Sequence, residues 1–313
     1  MKLDNRIIPI LVAAIGIYAI FLFISDYNVI TEKISNFKIN YLPLILLLVS
    51  ASWVTLIIKW HFLLKNSEIN IPLTKSIAVF FSGAAFEITP GQIGTLIKSQ
   101  LLKTSSNISR TKTVPIVIVE KIYDLIGAIL ASVIGIIILG MEFYLIIIAI
   151  SSLVVIFFFM YHKPASELFF DRITKLKFFS KYVENISEFN EVIKKSTNAK
   201  VATICILLAL TYWFMVSAAA YYTLIAFDVN ILDYLKVLAI YTTSSLLGAI
   251  SFIPGGIGIT EGSIAGLFTL NGLDVSTALI LSVMIRVLIL WFSVCVGFIA
   301  LKFTGAFSFK QDY

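Results

Sequence analysis

The chain has 313 residues, of which 59% are hydrophobic and only 13% are charged, and its mean hydropathy is +0.98. A soluble globular protein usually carries about 25% charged residues, so a single soluble core does not account for this composition. The apolar residues form runs long enough to cross the roughly 30 Å hydrocarbon core as helices, and the ~10-residue alternating segments of a membrane β-barrel do not occur. We therefore predict an all-α polytopic membrane protein. The net charge of +6 suits loops that face anionic lipid, so we expect no nucleic-acid partner.

Uninterrupted apolar spans are predicted at residues 7–25, 41–64, 114–139, 143–161, 200–226 and 276–303. The first span is long for the core of a signal peptide, and no small-residue cleavage site follows it. We therefore expect it to be a retained helix. Cys205 and Cys295 lie inside apolar runs without metal or redox spacing, which indicates small core residues.

Two further apolar stretches, at about 76–102 and 234–270, are interrupted by proline and glycine. The breaks read Thr89-Pro90-Gly91-Gln92-Ile93-Gly94 and Ile253-Pro254-Gly255-Gly256-Ile257-Gly258. Proline removes a backbone donor and glycine weakens a helix, so each stretch is expected to split into two short helices.

The two breaks are related by one offset. Three residue pairs lie 164 positions apart, namely Pro90 and Pro254, Gly91 and Gly255, and Gly94 and Gly258. The same offset maps 41–64 and 114–139 onto 205–228 and 278–303, close to predicted spans. The pattern predicts one membrane domain, 1–313, with repeats at about 41–139 and 200–303, although two unrelated kinked helices are the alternative. Paired interrupted segments point to a transport site between repeats.

Basic residues indicate the orientation. If both interrupted segments are re-entrant hairpins and the N-terminus is cytoplasmic, seventeen Lys and Arg residues lie inside and three lie outside. If both segments cross the membrane, the best orientation gives thirteen against seven. The positive-inside rule thus favours about six full spans, two re-entrant hairpins and cytoplasmic termini in the cell membrane. Three crossings then separate the repeat starts, so the hairpins enter from opposite sides as an inverted repeat.

The polar loop 162–199 has apolar residues at helical spacing, interleaved with lysine and glutamate. Such a segment either lies on the inner leaflet as amphipathic helices or packs on the protein's own cytoplasmic face. The sequence leaves both alternatives open.

Ionisable residues deep in a membrane are costly and are functional candidates. Three lie on the interrupted segments and four on the helices that follow them, namely Glu87, Lys98, Glu261, Glu120, Lys121, Asp124 and Arg286. Glu120 and Asp124 are one turn apart on one helix face. The alternative to a functional role is that these residues form ion pairs that only hold helices together. Such pairs would be Glu261 with Arg286, or Asp124 with Lys98 or Arg286.

The glycine turns are a second candidate feature. A glycine-rich turn that leads into a helix presents unpaired N–H groups and a positive helix end, which favour phosphate or carboxylate. Both turns precede short predicted helices, at Thr95–Leu101 and Thr260–Phe268, and Lys98, Lys121 and Arg286 add positive charge. This combination predicts a ligand with an anionic head and an apolar remainder, which describes a lipid.

The segment from Ile253 to Gly262, followed by Arg286, resembles the signature of the lysylphosphatidylglycerol synthase transmembrane region family of flippase-like proteins. The segments 90–98 and 120–124 are similar to that family's first-half motifs, with departures at Gln92 and Thr95, and the resemblance covers essentially the whole chain. It implies movement of aminoacylated phosphatidylglycerol or other lipid-linked substrates between leaflets. Any aminoacyl or glycosyl transfer would then need a partner enzyme.

Together these observations predict a flippase-like transporter that works by alternating access and needs no cofactor, metal or catalytic residue. The predicted binding and gating residues are Pro90, Gly91, Gly94, Lys98, Glu120, Asp124, Pro254, Gly255, Gly256, Gly258, Glu261 and Arg286. Expected partners are membrane lipids with an anionic headgroup and a cytoplasmic transferase or synthetase. Glu120 and Asp124 are candidates for ion or proton coupling.

Two other functions stay open at this point. One is an intramembrane enzyme that uses Glu120 and Asp124 as acid and base on lipid headgroups. The other is a non-catalytic subunit that docks a cytoplasmic transferase through loop 162–199.

Overall fold

A computed structural model describes residues 27–138, 143–162 and 185–303, together with Gly16, Leu168 and Arg172. Within these ranges all regular structure is helical. The predicted span 7–25 and most of loop 162–199 lie outside the described residues.

The first six helices are Tyr27–Ser35 (α1), Leu42–Asn66 (α2), Leu73–Ala84 (α3), Ile97–Ser106 (α4), Arg110–Ile138 (α5) and Phe143–Tyr161 (α6). The next six are Ile186–Ser196 (α7), Ala199–Ala226 (α8), Tyr234–Ile250 (α9), Ile259–Leu270 (α10), Val275–Arg286 (α11) and Phe292–Phe303 (α12). A π-helical turn, Val287–Trp291, joins α11 to α12. The spans predicted from residue 41 onward are therefore confirmed as helices.

Three of the described helical stretches are long and apolar enough to cross a membrane, namely Ile39–Asn66, Ala199–Ala226 and Val275–Lys302. Helix α5 has 29 residues, or roughly 43 Å at about 1.5 Å per residue, but it carries Glu120, Lys121 and Asp124 near its middle. These helices fit a polytopic membrane protein.

Both helix breaks fall where proline and glycine predict them. Between α3 and α4 lies a 3₁₀ segment, Pro90–Leu96, and between α9 and α10 lies another, Pro254–Gly256. The left-handed backbone at Gly91 (φ 56°) and Gly255 (φ 62°) suits glycine, because a Cβ atom is strained there. We call residues 85–96 the first tip and residues 251–258 the second tip.

The two tips contact each other. A Cβ atom built on Gly91 would lie 3.2 Å from Cδ1 of Phe252, and one built on Gly255 would lie 3.7 Å from Cα of Ile88. The interrupted segments are thus in contact, while their re-entrant insertion in a bilayer stays a prediction.

Helices α2 and α8, which the 164-residue offset relates, pack side by side and antiparallel. At one end Lys38 binds Asp228 at 2.8 Å, and at the other Ser67 Oγ lies 3.2 Å from Ser196 Oγ. Antiparallel equivalent helices are what an inverted repeat requires.

Each half also packs its interrupted segment on the last long helix of the other half, since α3 contacts α12 and α9 contacts α5. Glycines make both crossings close. A Cβ atom on Gly297 would lie 2.3 Å from Ala85 N, and one on Gly135 would lie 2.4 Å from Ala239 Cα. Small residues allow helix backbones in membranes to approach in this way.

Helix α7 packs on the protein, with Phe189 and Ile193 buried. Asn66 Nδ2 donates to Lys195 O at 2.7 Å, and Tyr123 Oη donates to Ser196 O at 2.8 Å. A hydrogen bond from Lys195 lowers the pKa of Glu68. For this part of loop 162–199, the structure therefore supports packing on the protein's own face.

Candidate substrate cavity

A cavity of about 560 Å³ lies between the two tips and helices α5, α8, α9 and α11. Its charged, tyrosine and tryptophan lining residues are Glu87, Lys121, Asp124, Tyr212, Trp213, Tyr241 and Arg286. Exposed apolar side chains line it at and beside the tips, including Ile250 at the end of α9 (68% exposed) and Phe252 in the second tip (69% exposed). One wall is thus charged and the rim is apolar.

Lys121 is the most loosely held cation in the cavity. Its Nζ atom lies 3.7 Å from Glu87 Oε1 and 3.7 Å from Asp124 Oδ2. Charge-assisted hydrogen bonds are about 2.7–2.9 Å long, so neither contact is a close one. The Lys121 side chain is 28% exposed.

Asp124 has a second and closer cation behind it. Lys59 on α2, whose side chain is fully buried, donates to Asp124 Oδ1. The sequence analysis missed Lys59, although a lysine inside the predicted span 41–64 is the signal that identified the other candidates. Trp213 Nε1 also donates to the Asp124 carbonyl at 3.1 Å, which joins α8 to α5.

Lys98 and Glu120 form a sealed ion pair. Lys98 Nζ donates to Glu120 Oε2 and lies 4.2 Å from the ring centre of Trp60, and both charged side chains are buried. Lys98 therefore pairs with Glu120 rather than with Asp124, the partner suggested by the sequence. The cavity wall includes neither residue of this pair, because the pair lies between α4 and α5.

The predicted pair of Glu261 and Arg286 is confirmed. Arg286 Nε donates to Glu261 Oε1 at 2.8 Å, and Arg286 Nη2 donates to the Gly255 carbonyl. The other Glu261 oxygen accepts the Gly258 N–H at 2.7 Å. Glu261 thus caps α10 and holds Arg286 against the second tip. The π turn begins directly after Arg286, and such turns are frequent at functional sites.

The glycine turns are less open to an anion than the sequence predicts. The Gly258 N–H is engaged by Glu261, whose carboxylate is itself the anion at the start of α10. In the first tip, the Gly94 N–H donates to Thr89 Oγ1 at 2.8 Å, and the Gln92 N–H donates to Thr89 O at 2.8 Å. The accessible positive charge therefore lies on side chains.

The structure divides the predicted binding and gating residues into two groups. Those that line the cavity are Gly91, Asp124, Gly255, Gly256 and Arg286. Those that are not part of the lining are Pro90, Gly94, Lys98, Glu120, Pro254, Gly258 and Glu261. The roles of both groups in transport stay a prediction.

Aromatic residues of the wall were not predicted. The ring centres of Trp213 on α8 and Tyr241 on α9 are 6.2 Å apart, and Tyr212 lies beside them. An aromatic residue within an apolar run resembles any other core residue, so the sequence carries no signal for this part of the wall.

Comparison with known proteins identifies a membrane-protein family. The family model described as "Lysylphosphatidylglycerol synthase TM region" matches residues 9–297. A curated relative, the UPF0104 membrane protein PH1989 of Pyrococcus horikoshii, is 25% identical over 287 residues, and the match covers 83% of this chain and 85% of the relative. The matched family region contains both tips and the whole cavity lining.

Proposed function

Because the chain belongs to the lysylphosphatidylglycerol synthase TM region family, we propose that it is a flippase-like transporter. Its substrate is an amphiphile with an anionic headgroup, of the phospholipid or polyprenyl-phosphate type, which it moves between leaflets. One observation carries the proposal: a single cavity joins two cations, Lys121 and Arg286, to an exposed apolar rim.

The headgroup phosphate binds between these two cations. Arg286 is held by Glu261 and by the Gly255 carbonyl, so its guanidinium group is oriented before the lipid arrives. Arginine is suited to phosphate because its planar fork donates two parallel hydrogen bonds. The acyl or prenyl chain lies along Ile250 and Phe252 and stays in apolar surroundings.

Transport proceeds by alternating access around the tips. In this proposal the halves rock about the contact between Gly91 and Phe252, and the crossings of α3 with α12 and of α9 with α5 move together. Paired interrupted segments at the interface of two repeats are typical of this mechanism.

The structure favours a transporter over the intramembrane enzyme. A general acid or base must reach the substrate to within hydrogen-bond distance. Glu120 is buried against Lys98, so only Asp124 of the suggested catalytic pair lines the cavity.

The test is translocation of fluorescent phosphatidylglycerol in proteoliposomes, measured by quenching of the outer leaflet. We expect Arg286→Ala and Lys121→Ala to slow translocation by about tenfold or more, since a charge-assisted hydrogen bond contributes about 1.5–3 kcal/mol. Lys200→Ala, an exposed change at the start of α8, is the matched control and should retain the wild-type rate. Glu261→Gln should give an intermediate loss, because Arg286 loses its ionic partner.

Three outcomes contradict the proposal. One is wild-type protein that moves the lipid no faster than empty vesicles. Another is equal rates in the wild type and both cavity variants. The third is chemically altered lipid in the recovered vesicles, which favours the enzyme.

A further inference from the structure

Four charged groups form a chain of alternating sign along one side of the cavity. Lys59 pairs with Asp124, Asp124 faces Lys121, and Lys121 faces Glu87. The four charges sum to zero. Arg286 is balanced separately by Glu261.

An anionic headgroup disturbs this balance. Uncompensated charge is costly in a membrane interior, because the surroundings solvate it poorly. The headgroup therefore needs a cation that is free to change partners. Lys121 meets this need, since both its carboxylate contacts are 3.7 Å long and its side chain is partly exposed.

The two carboxylates beside Lys121 differ in the cation contacts that they keep once Lys121 has moved away. When Lys121 turns to the phosphate, Asp124 keeps Lys59, which is buried and in direct contact with it. Glu87 has no such second contact among the ion pairs of the described residues, and its side chain is 24% exposed at the cavity. Glu87 is thus the group left with uncompensated charge.

We infer that Glu87 takes up one proton when an anionic headgroup binds Lys121, so that one proton enters the cavity with each phosphate. This inference rests on the proposed function and specifies how lipid transport is coupled to protons. The proton comes from water and adds to a Glu87 carboxylate oxygen. It leaves when the phosphate departs and Lys121 returns. Neutrality is kept in both states.

Other groups around Glu87 do not replace Lys121. The charged and titratable side chains that interact electrostatically with Glu87 or share the cavity with it are Lys98 on α4, Glu120, Lys121 and Asp124 on α5, Tyr212 on α8, Tyr241 on α9 and Arg286 on α11. Of the cations, Lys98 is bound to Glu120 and Arg286 is bound to Glu261. Glu120 and Asp124 each have a dedicated lysine, so proton coupling is assigned to Glu87 instead of these two.

Calorimetric titration of the detergent-solubilised protein with short-chain phosphatidylglycerol tests the inference. Titrations in two buffers with different heats of ionisation give the number of protons taken up per lipid bound. We expect about one proton for the wild type near neutral pH, and an affinity that falls by about tenfold per pH unit once Glu87 is ionised in the lipid-free state. Glu87→Gln should bind the lipid with almost no proton uptake. Glu191→Gln, an exposed change on α7, should behave as the wild type.

The outcomes separate the two proposals. Wild-type protein that binds and translocates the lipid without proton uptake overturns the inference and leaves the transporter intact. Unchanged uptake in Glu87→Gln overturns it equally. No lipid binding by the wild type removes both proposals. If Glu87→Gln does not fold, the inference is tested by the wild type alone, through the number of protons taken up per lipid bound and the pH dependence of the affinity.

Discussion

At the residue scale, most of the buried cations have a dedicated carboxylate. Lys98 and Glu120 are the most enclosed pair, with Trp60 stacked against the ammonium group. The lysine stem also fits against Gly83, where a Cβ atom would lie 2.8 Å from Lys98 Cγ. This pair joins α4 to α5 without reaching the cavity, so we expect it to stabilise the folded protein.

We therefore predict that Lys98→Met destabilises the protein by about 3 kcal/mol or more, because it leaves the Glu120 charge buried without its cation. The double variant Lys98→Met with Glu120→Gln should recover a large part of the loss. Thermal unfolding in detergent measures both. Lys112→Met, which removes the exposed 3.5 Å pair with Glu188, should change the midpoint little. A double variant as unstable as the single one contradicts the prediction.

The sequence predicts some residue contacts and misses others for physical reasons. Glu261 and Arg286 were matched because unlike charges at depth must pair. The sequence analysis matched Lys98 with Asp124, whereas in the structure Lys98 pairs with Glu120, one turn earlier on α5. Which carboxylate pairs with Lys98 depends on Lys59, because Lys59 on α2 already forms an ion pair with Asp124.

At the element scale, close helix crossings are set by glycine. Gly135 on α5 lies against Ala239 on α9, whereas Gly266 on α10 has open space at its Cβ position, with nothing within 4 Å. The two glycines look alike in the sequence, since both lie within apolar helices. Only the fold distinguishes them.

We predict opposite effects for the same substitution at these positions. Gly135→Ala should lower the thermal midpoint, because the new methyl group overlaps the α9 backbone. Gly266→Ala should leave the midpoint unchanged or raise it, since alanine favours a helix over glycine by about 0.8–1.0 kcal/mol. Thermal unfolding of both variants in one detergent checks this. Equal losses at the two sites would refute the crossing.

The helix boundaries were largely predictable, whereas the tip geometry was not. Proline and glycine locate each break, and the next helix follows within a few residues. The N–H groups of Gly94 and Gly258 donate to the side chains of Thr89 and Glu261, which fold back on the turns. The sequence does not predict these hydrogen bonds. The π turn after Arg286 likewise has no marker in its apolar sequence.

At the scale of the whole molecule, charge is unevenly distributed between the ends. The basic residues at the end that carries α7 include Lys65, Lys75, Lys103, Arg110, Lys112, Lys194, Lys195, Lys200 and Lys302, together with the acidic residues Glu68, Glu188 and Glu191. The other end carries Lys33, Lys38 and Lys236 together with Glu32, Asp228, Asp233 and Asp274. This asymmetry fits the orientation that the positive-inside rule predicts.

Cysteine labelling in intact cells tests this orientation. After replacement of Cys205 and Cys295, Ser105→Cys reports the basic end and Asn230→Cys reports the other, and both positions are exposed. We expect a membrane-impermeant thiol reagent to label Asn230→Cys in whole cells and Ser105→Cys only after lysis. The reverse pattern would overturn the cytoplasmic assignment of the termini.

The crossings of α3 with α12 and of α9 with α5 also constrain motion. Each half supplies the surface on which the other half's broken helix rests, so turning one half shifts both crossings at once. If the protein works by alternating access, as we propose, widening a passage on one side is expected to narrow the passage on the other. In that mechanism the interlocked halves would themselves prevent a continuous open path across the membrane.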